Sequence, residues 1–408
     1  MLIKNIGILA TAEGRQARRG AEQGKIRLYK NAWILLEDDE IAEIGTGKYQ
    51  YQNDFDGEVL DAEGRLVTPG LVDAHTHLVF GGWRQNELGL KMHGVSYLEI
   101  LANGGGILST VENTREASLE ELMDKAEKAL DEMLKFGTTT CEAKSGYGLN
   151  LEHELKQLKV VRELNRRHPI DLISTFLGAH AIPVDYKKER EEFIRQICED
   201  MIPIIAEEKL AQFCDVFCET GVFTVEEARR ILETGKKYGL IPKIHADEIE
   251  AIGGSQLAGN IGAISAEHLI VCPLEGIEQM AKGGTIACLL PATSFYLGAN
   301  YAPAREMIQR GVPVAMATDF NPGSCPCLNL QLVINLGCLK YRMTPEEVLT
   351  AVTLNAAAAI GVADRIGTIE IGKKGDLIIW EAPDLDYICY RLGSNLVRNV
   401  VKAGKKIR

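Results

Sequence analysis

No stretch of this 408-residue chain approaches eighteen consecutive apolar residues, so no membrane-spanning helix is expected. The opening Met1-Leu-Ile-Lys-Asn-Ile-Gly7 runs on to Glu13 and Arg15 without a long apolar core or a small-residue cleavage site, which predicts no secretory leader. An excess of positive charge is also lacking. Lys and Arg number 45 against 57 Asp and Glu, a net charge of −12, which argues against nucleic acid or an anionic membrane as the main partner. The ten cysteines are scattered, mostly in apolar, strand-like contexts such as Cys141, Cys288 and Cys338. Neither Cys214/Cys218 nor Cys325/Cys327 has a second pair at zinc-site spacing, so these read as reduced thiols of a cytoplasmic protein. No G-x-S-x-G occurs, which leaves an esterase-type serine nucleophile without support. Gly367–Lys373 imitates a phosphate-binding loop, but Lys374 stands where Ser or Thr is needed. His153-Glu154 begins a zincin motif, and Gln157 occupies its second histidine position.

What is present is the composition of a globular enzyme or scaffold, 46% hydrophobic and 25% charged. The length suits two or three units of about 150 residues, or one barrel-sized domain with an appendage. Short alternating runs at Ile26–Tyr29, Ala32–Leu36, Ile41–Ile44 and Glu58–Asp61 predict a small antiparallel sheet near the start. Gly367–Gly372, Asp376–Trp380 and Asn399–Lys405 repeat that character at the end. Between them, nearly continuous apolar runs alternate with charge-laced helical segments. The runs are Leu66–His77, Thr138–Lys144, Ile170–His180, Val216–Glu219, Ile241–His245, Ala263–His268, Thr285–Pro291 and Pro313–Asp319. Helices are expected at Leu119–Phe136, Leu151–Arg167, Glu189–Lys209 and Val225–Lys237, with Ser118 and Glu121 forming a capping box. Eight such units predict an α/β fold, a (β/α)8 TIM-like barrel over 69–362. A small β-sandwich would be formed by 1–68 and 363–408. A doubly wound open sheet is the competing architecture.

The chain has only eight histidines, and His75, His77, His180, His245 and His268 each fall at the C-terminal end of a predicted strand. Those ends converge on the face where barrel active sites are built, and Asp319 ends a further strand there. His75 and His77, at i and i+2, point to the same side and are able to share a cation. Imidazole nitrogens suit zinc or iron(II), and an aspartate oxygen is a fitting further ligand.

Leu66-Val-Thr-Pro-Gly-Leu-Val-Asp-Ala-His-Thr-His77 resembles strand one of the metal-dependent amidohydrolase superfamily. That resemblance implies His75, His77, His245 and Asp319 as metal ligands. Phe80–Arg84, Glu142–Gly148, Leu177–His180, His245–Glu248 and Thr318–Ser324 together resemble the imidazolonepropionases of that superfamily. The implied reaction opens the cyclic amide of 4-imidazolone-5-propanoate to N-formimino-L-glutamate in histidine degradation. A bound zinc or iron ion, one per subunit, would bring water's pKa from about 15.7 toward about 7 and so supply hydroxide. Asp319 is suited to take the water's proton, Glu248 to reach the water or the leaving nitrogen, and His268 to stabilise the oxyanion.

Arg84, which follows the first metal motif, reads from composition as a solvated loop arginine, while the resemblance implies a rim cation for the substrate carboxylate. The resemblance adds Tyr147, His180, Asn321, Gly323 and Ser324 as substrate contacts, and Glu248 is counted with them. Tyr97 is either a further contact or a packing residue, and Gly104–Gly106 either a loop that flexes over the site or a plain turn. Two-metal members of the superfamily carry a carboxylated lysine at the end of strand four. Glu219 stands there in this chain, and Lys144 ends strand two, so a single ion is expected, with Glu219 as hydrogen-bond partner or second-ion ligand the alternative. A homodimer is expected by base rate. Two other functions fit less of the pattern: an aromatic-base deaminase of the same fold, which offers Arg84 no carboxylate, and a non-catalytic assembly protein, which needs none of the ligands.

Overall fold

The strand-like runs at the two ends of the chain meet in one mixed sheet. The computed structural model describes residues 1–49, 55–95 and 105–408. In chain order the first strands are β1 (Leu2–Thr11), β2 (Arg27–Glu37), β3 (Glu40–Thr46), β4 (Val59–Asp61) and β5 (Leu66–Pro69). Eight follow in the middle: β6 (Leu71–Asp73), β7 (Thr138–Lys144), β8 (Asp171–Ala179), β9 (Phe213–Cys218), β10 (Ile241–Ala246), β11 (Ser265–His268), β12 (Ile286–Leu289) and β13 (Val314–Met316). The last are β14 (Leu377–Trp380), β15 (Val397–Lys402) and β16 (Lys405–Lys406). The terminal sheet runs β16-β15-β14-β5-β1-β2-β3, with β4 beside β1. β6 to β13 pair in sequence order, each neighbour parallel. A parallel bridge between Thr76 and Phe320 brings the first unit against the last. The architecture is a TIM-like barrel with a separate sheet built from both termini.

Alternation along each barrel strand separates an outer apolar layer from a layered interior. On β7 the buried Cys141 and Ala143 join the helix-facing core, while Glu142 and Lys144 lie among the interior's charges. Val72, Ile173, Phe213, Ile286 and Ala315 pack with Leu354 and Ala357 to form an apolar floor. Charged residues lie above that floor, and the histidines above them. The amide of Glu121 donates to the Ser118 hydroxyl at 3.1 Å, and the Ser118 amide donates to the Glu121 carboxylate at 2.8 Å, which starts helix Leu119–Lys135 as expected.

Several details differ from the sequence expectation. The run Leu66–His77 divides into β5 of the terminal sheet and β6 of the barrel. Ile26–Tyr29 and Ala32–Leu36 are one strand, β2. Gly367–Gly372 is a turn rather than a strand, because both glycines adopt the left-handed region, with φ of +85° and +81°. The helix expected over Glu189–Lys209 is divided by a π turn at Ile197–Met201. Pro203 lacks the N–H that would bond the Glu199 carbonyl, and the ladder widens just ahead of it.

Candidate metal centre and active site

Five of the eight histidines converge at the C-terminal mouth of the barrel. Ring centroids are 5.3 Å apart for His75 and His77, 4.6 Å for His75 and His245, and 5.3 Å for His245 and His268. The barrel's closing seam sets their level. The Asp319 amide donates to the His75 carbonyl at 3.0 Å, and the His77 amide donates to the Phe320 carbonyl at 2.9 Å. Ligand atoms of His75, His77 and His245 lie within 4.8 Å of one another, as do those of His75, His268 and Asp319.

These residues fit a metal ion. His75 Nε2 and His245 Nε2 are buried and have no hydrogen-bond partner among the described residues, a costly state for a ring nitrogen without a ligand. Asp319 Oδ1 lies 3.4 Å from His75 Nε2 and 3.5 Å from His77 Nε2. Two ligands about 2.1 Å from one tetrahedral ion are roughly 3.4 Å apart. Burial, with neighbouring cationic groups, holds His75, His77 and His268 well below the usual imidazole range, which favours the neutral form that ligates. The opposite ring nitrogens are oriented by carboxylates: His75 Nδ1 is 2.7 Å from Glu267 Oε2, and His245 Nδ1 is 3.1 Å from Asp215 Oδ2. His268 and Asp319 take left-handed φ values of +69° and +57°, strain of about 1–3 kcal/mol each that surrounding contacts must hold.

Glu248 Oε2 lies 3.6 Å from His268 Nε2. Burial and the Asp319 and Glu219 carboxylates push the Glu248 carboxyl up to about 8, which favours its protonated form. Glu219 accepts from the amides of Thr220, Ile249 and Glu250, and thereby ties down the turn that carries Glu248. Lys144 meets Glu142 and Asp215 at 3.0 and 2.7 Å. Burial alone would lower its pKa, but Asp215, Glu142 and Glu267 hold it above the ordinary lysine value, as an ammonium ion.

Arg84 is held more tightly than a free rim clamp. Its Nε and Nη2 donate to the two Glu87 carboxylate oxygens, each at 2.9 Å. Glu87 also accepts from the Gly106 amide at 2.7 Å. The i,i+3 spacing of Arg84 and Glu87 was a legible signal that sequence reasoning passed over. A Cβ on Gly323 would come within 2.1 Å of Arg84 Nη1, so glycine is needed for the guanidinium to lie there. Asn321 organises the same loop: its Oδ1 accepts from the amides of Gly323 and Ser324, and its Nδ2 donates to the Asp319 carbonyl and the Ser324 hydroxyl. Tyr97 and Gly104 lie outside the described residues.

Tyr147 and His180 stand beside the candidate ligands. His180 stacks on His77, centroids 4.8 Å apart and planes 11° apart, and the Tyr147 ring lies 5.7 Å from His77. Burial, opposed in part by the Gly146 carbonyl, leaves His180 lowered to about 3. The failed zincin motif explains how the Tyr147 segment is held. Glu154 accepts from the amides of Gly146, Gly148 and Leu149, and Gln157 accepts from the Tyr147 amide and donates to the Val79 carbonyl. Glu154→Gln turns one acceptor into a donor facing those amides. Chemical denaturation should show a loss of about 2–3 kcal/mol; an unchanged midpoint would mean that this clamp contributes nothing.

The amidohydrolase family profile matches residues 66–407. The chain is 53% identical to the imidazolonepropionase of Alkaliphilus metalliredigens over 412 aligned residues, covering 100% of this chain and 97% of that one. It is 51% identical to the imidazolonepropionase of Brevibacillus brevis, covering 98% and 96%. Among solved structures, 5-methylcytosine deaminase from Klebsiella pneumoniae, liganded with 5-fluorocytosine, superposes with a TM-score of 0.75 at 17% identity over 100% of this chain and 97% of that one. Atrazine chlorohydrolase from Arthrobacter aurescens TC1, complexed with zinc, gives 0.71 at 16% identity over 100% and 94%. At those identities the two structures speak to the fold alone.

Proposed function

Because this chain belongs to the amidohydrolase family, and within it to the imidazolonepropionases, we infer that it hydrolyses the cyclic amide C–N bond of 4-imidazolone-5-propanoate to N-formimino-L-glutamate. The observation that supports the chemistry is that ligand atoms of His75, His77 and His245 lie within 4.8 Å of one another, as do those of His75, His268 and Asp319, with Glu248 Oε2 3.6 Å from His268 Nε2. We propose one zinc(II) or iron(II) ion there per subunit of a cytoplasmic homodimer. When bound, a divalent ion supplies Lewis acidity and a water that ionises near neutral pH.

The chain's own residues do the rest. Arg84 binds the propionate, and Glu87 holds the guanidinium in plane for it. Tyr147 and His180 pack against the ring, and the loop shaped by Asn321 presents Gly323 and Ser324 to the formimino-glutamate end. Asp319 accepts the water's proton, His268 donates toward the carbonyl oxygen, and Glu248 gives its proton to the departing nitrogen. Water's oxygen ends on the former carbonyl carbon, the C–N bond breaks, and the nitrogen leaves with a hydrogen.

The substrate's carboxylate separates this reading from nucleobase deamination. Arg84→Met should raise KM for imidazolone propionate by roughly 30-fold or more, because it removes the cation and leaves Glu87 facing an anion. Steady-state kinetics decide, and an unchanged KM would remove Arg84 from substrate recognition.

A further inference from the structure

Beneath the histidines lie five charged side chains with no solvent exposure: Glu142, Lys144, Asp215, Lys243 and Glu267. Burying ions costs several kcal/mol each, and apolar side chains of similar volume generally fill such a space at no loss of stability. Stability therefore does not account for them. Their connectivity does.

From His245 Nδ1 the path runs to Asp215, whose Oδ2 meets Lys144 Nζ at 2.7 Å. Lys144 then contacts both Glu142 oxygens, at 3.1 Å for Oε1 and 3.0 Å for Oε2. Glu142 Oε1 is 3.0 Å from Lys243 Nζ, and Lys243 reaches Glu267 Oε1 at 3.4 Å. Glu267 Oε2 ends the path at His75 Nδ1. The chain of contacts is unbroken from one candidate ligand to the other across β7, β9, β10 and β11. Glu142 is its midpoint and contacts neither histidine. The Thr175 hydroxyl donates to Glu142 Oε1 at 2.5 Å and fixes it from β8.

A ring whose Nδ1 is pinned has its Nε2 direction set by the pinning group. Here both pinning carboxylates are fastened, through one lysine each, to the same glutamate. We propose that Glu142 is a positioning residue for the metal centre, the shared strut that sets the His75 and His245 nitrogens relative to one another. The proposal rests on reading His75, His77, His245 and Asp319 as metal ligands. It concerns metal binding itself, apart from turnover.

The test uses the full chain, stripped with a chelator and titrated with cobalt(II) alone, reading the dissociation constant and the visible absorption band. Glu142→Gln keeps the shape and removes the charge. Thr175→Val removes only the hydroxyl that fixes Glu142. The expected result for Glu142→Gln is a dissociation constant about 10- to 100-fold weaker, with a shifted band. Thr175→Val should move both readouts in the same direction by less, and a surface variant, Glu163→Gln, should move neither.

Wild-type affinity and band in folded Glu142→Gln would overturn the proposal, even if its thermal midpoint falls. Should Glu142→Gln not fold, Thr175→Val decides, and wild-type values there overturn it equally. If the unaltered chain binds no cobalt, the metal-centre reading itself fails, a result distinct from equal binding by wild type and variant.

Discussion

Chelator-stripped protein should open the imidazolone ring about a thousandfold more slowly or worse, the equivalent of roughly 4 kcal/mol of barrier. Stoichiometric zinc(II) or iron(II) should restore the rate. The expectation follows from the donor set. Three imidazoles and one carboxylate lie close together, and the buried Nε2 atoms of His75 and His245 have no hydrogen-bond partner among the described residues. Burial and the local charges keep His75 and His77 neutral, so the ion does not have to displace their protons. A binding isotherm provides a second readout, because an ion that binds only the folded state also raises the thermal midpoint with its concentration. Full activity in protein shown to be free of metal would refute the assignment.

Glu248→Gln should lower kcat by about 10²- to 10⁴-fold while metal content stays near one per chain. The glutamine keeps the size and loses the ionisable carboxyl proton. The carboxyl is raised to about 8 by burial and by the nearby Asp319 and Glu219 carboxylates. A bound cation works the other way, so the titration should fall between its ordinary 4.5 and about 8. The protonated form is the one that serves the leaving nitrogen, so kcat declines as pH rises through that value. That limb should be absent in Glu248→Gln. A variant with intact metal, near-normal turnover and the same limb would remove Glu248 from proton transfer.

The fold and the ligand candidates were legible for the same reason. Apolar runs recur at βα spacing, and the five clustered histidines close four of them, so a barrel brings them together without any knowledge of loops. His75-x-His77 needed only the two-residue period of a strand. What remained hidden depends on partners distant in sequence. Glu267 is 192 positions from His75, and only the barrel's register reveals that it orients that ring. Glu154 and Gln157 looked like remnants of a protease motif until the Tyr147 segment was seen folded onto them. Glu87 was within reach, since its i,i+3 spacing to Arg84 marks an ion pair. Gly367–Gly372 misled because alternation with flanking glycines describes a strand and a turn equally well.

The most direct test runs the reaction in ¹⁸O-enriched water with wild-type protein and freshly generated 4-imidazolone-5-propanoate. The account predicts N-formimino-L-glutamate carrying one ¹⁸O in the carboxylate derived from the ring carbonyl, none in the formimino group, and no ammonia released. Unconsumed substrate with the metal centre fully loaded, or ammonia without ring opening, would contradict it.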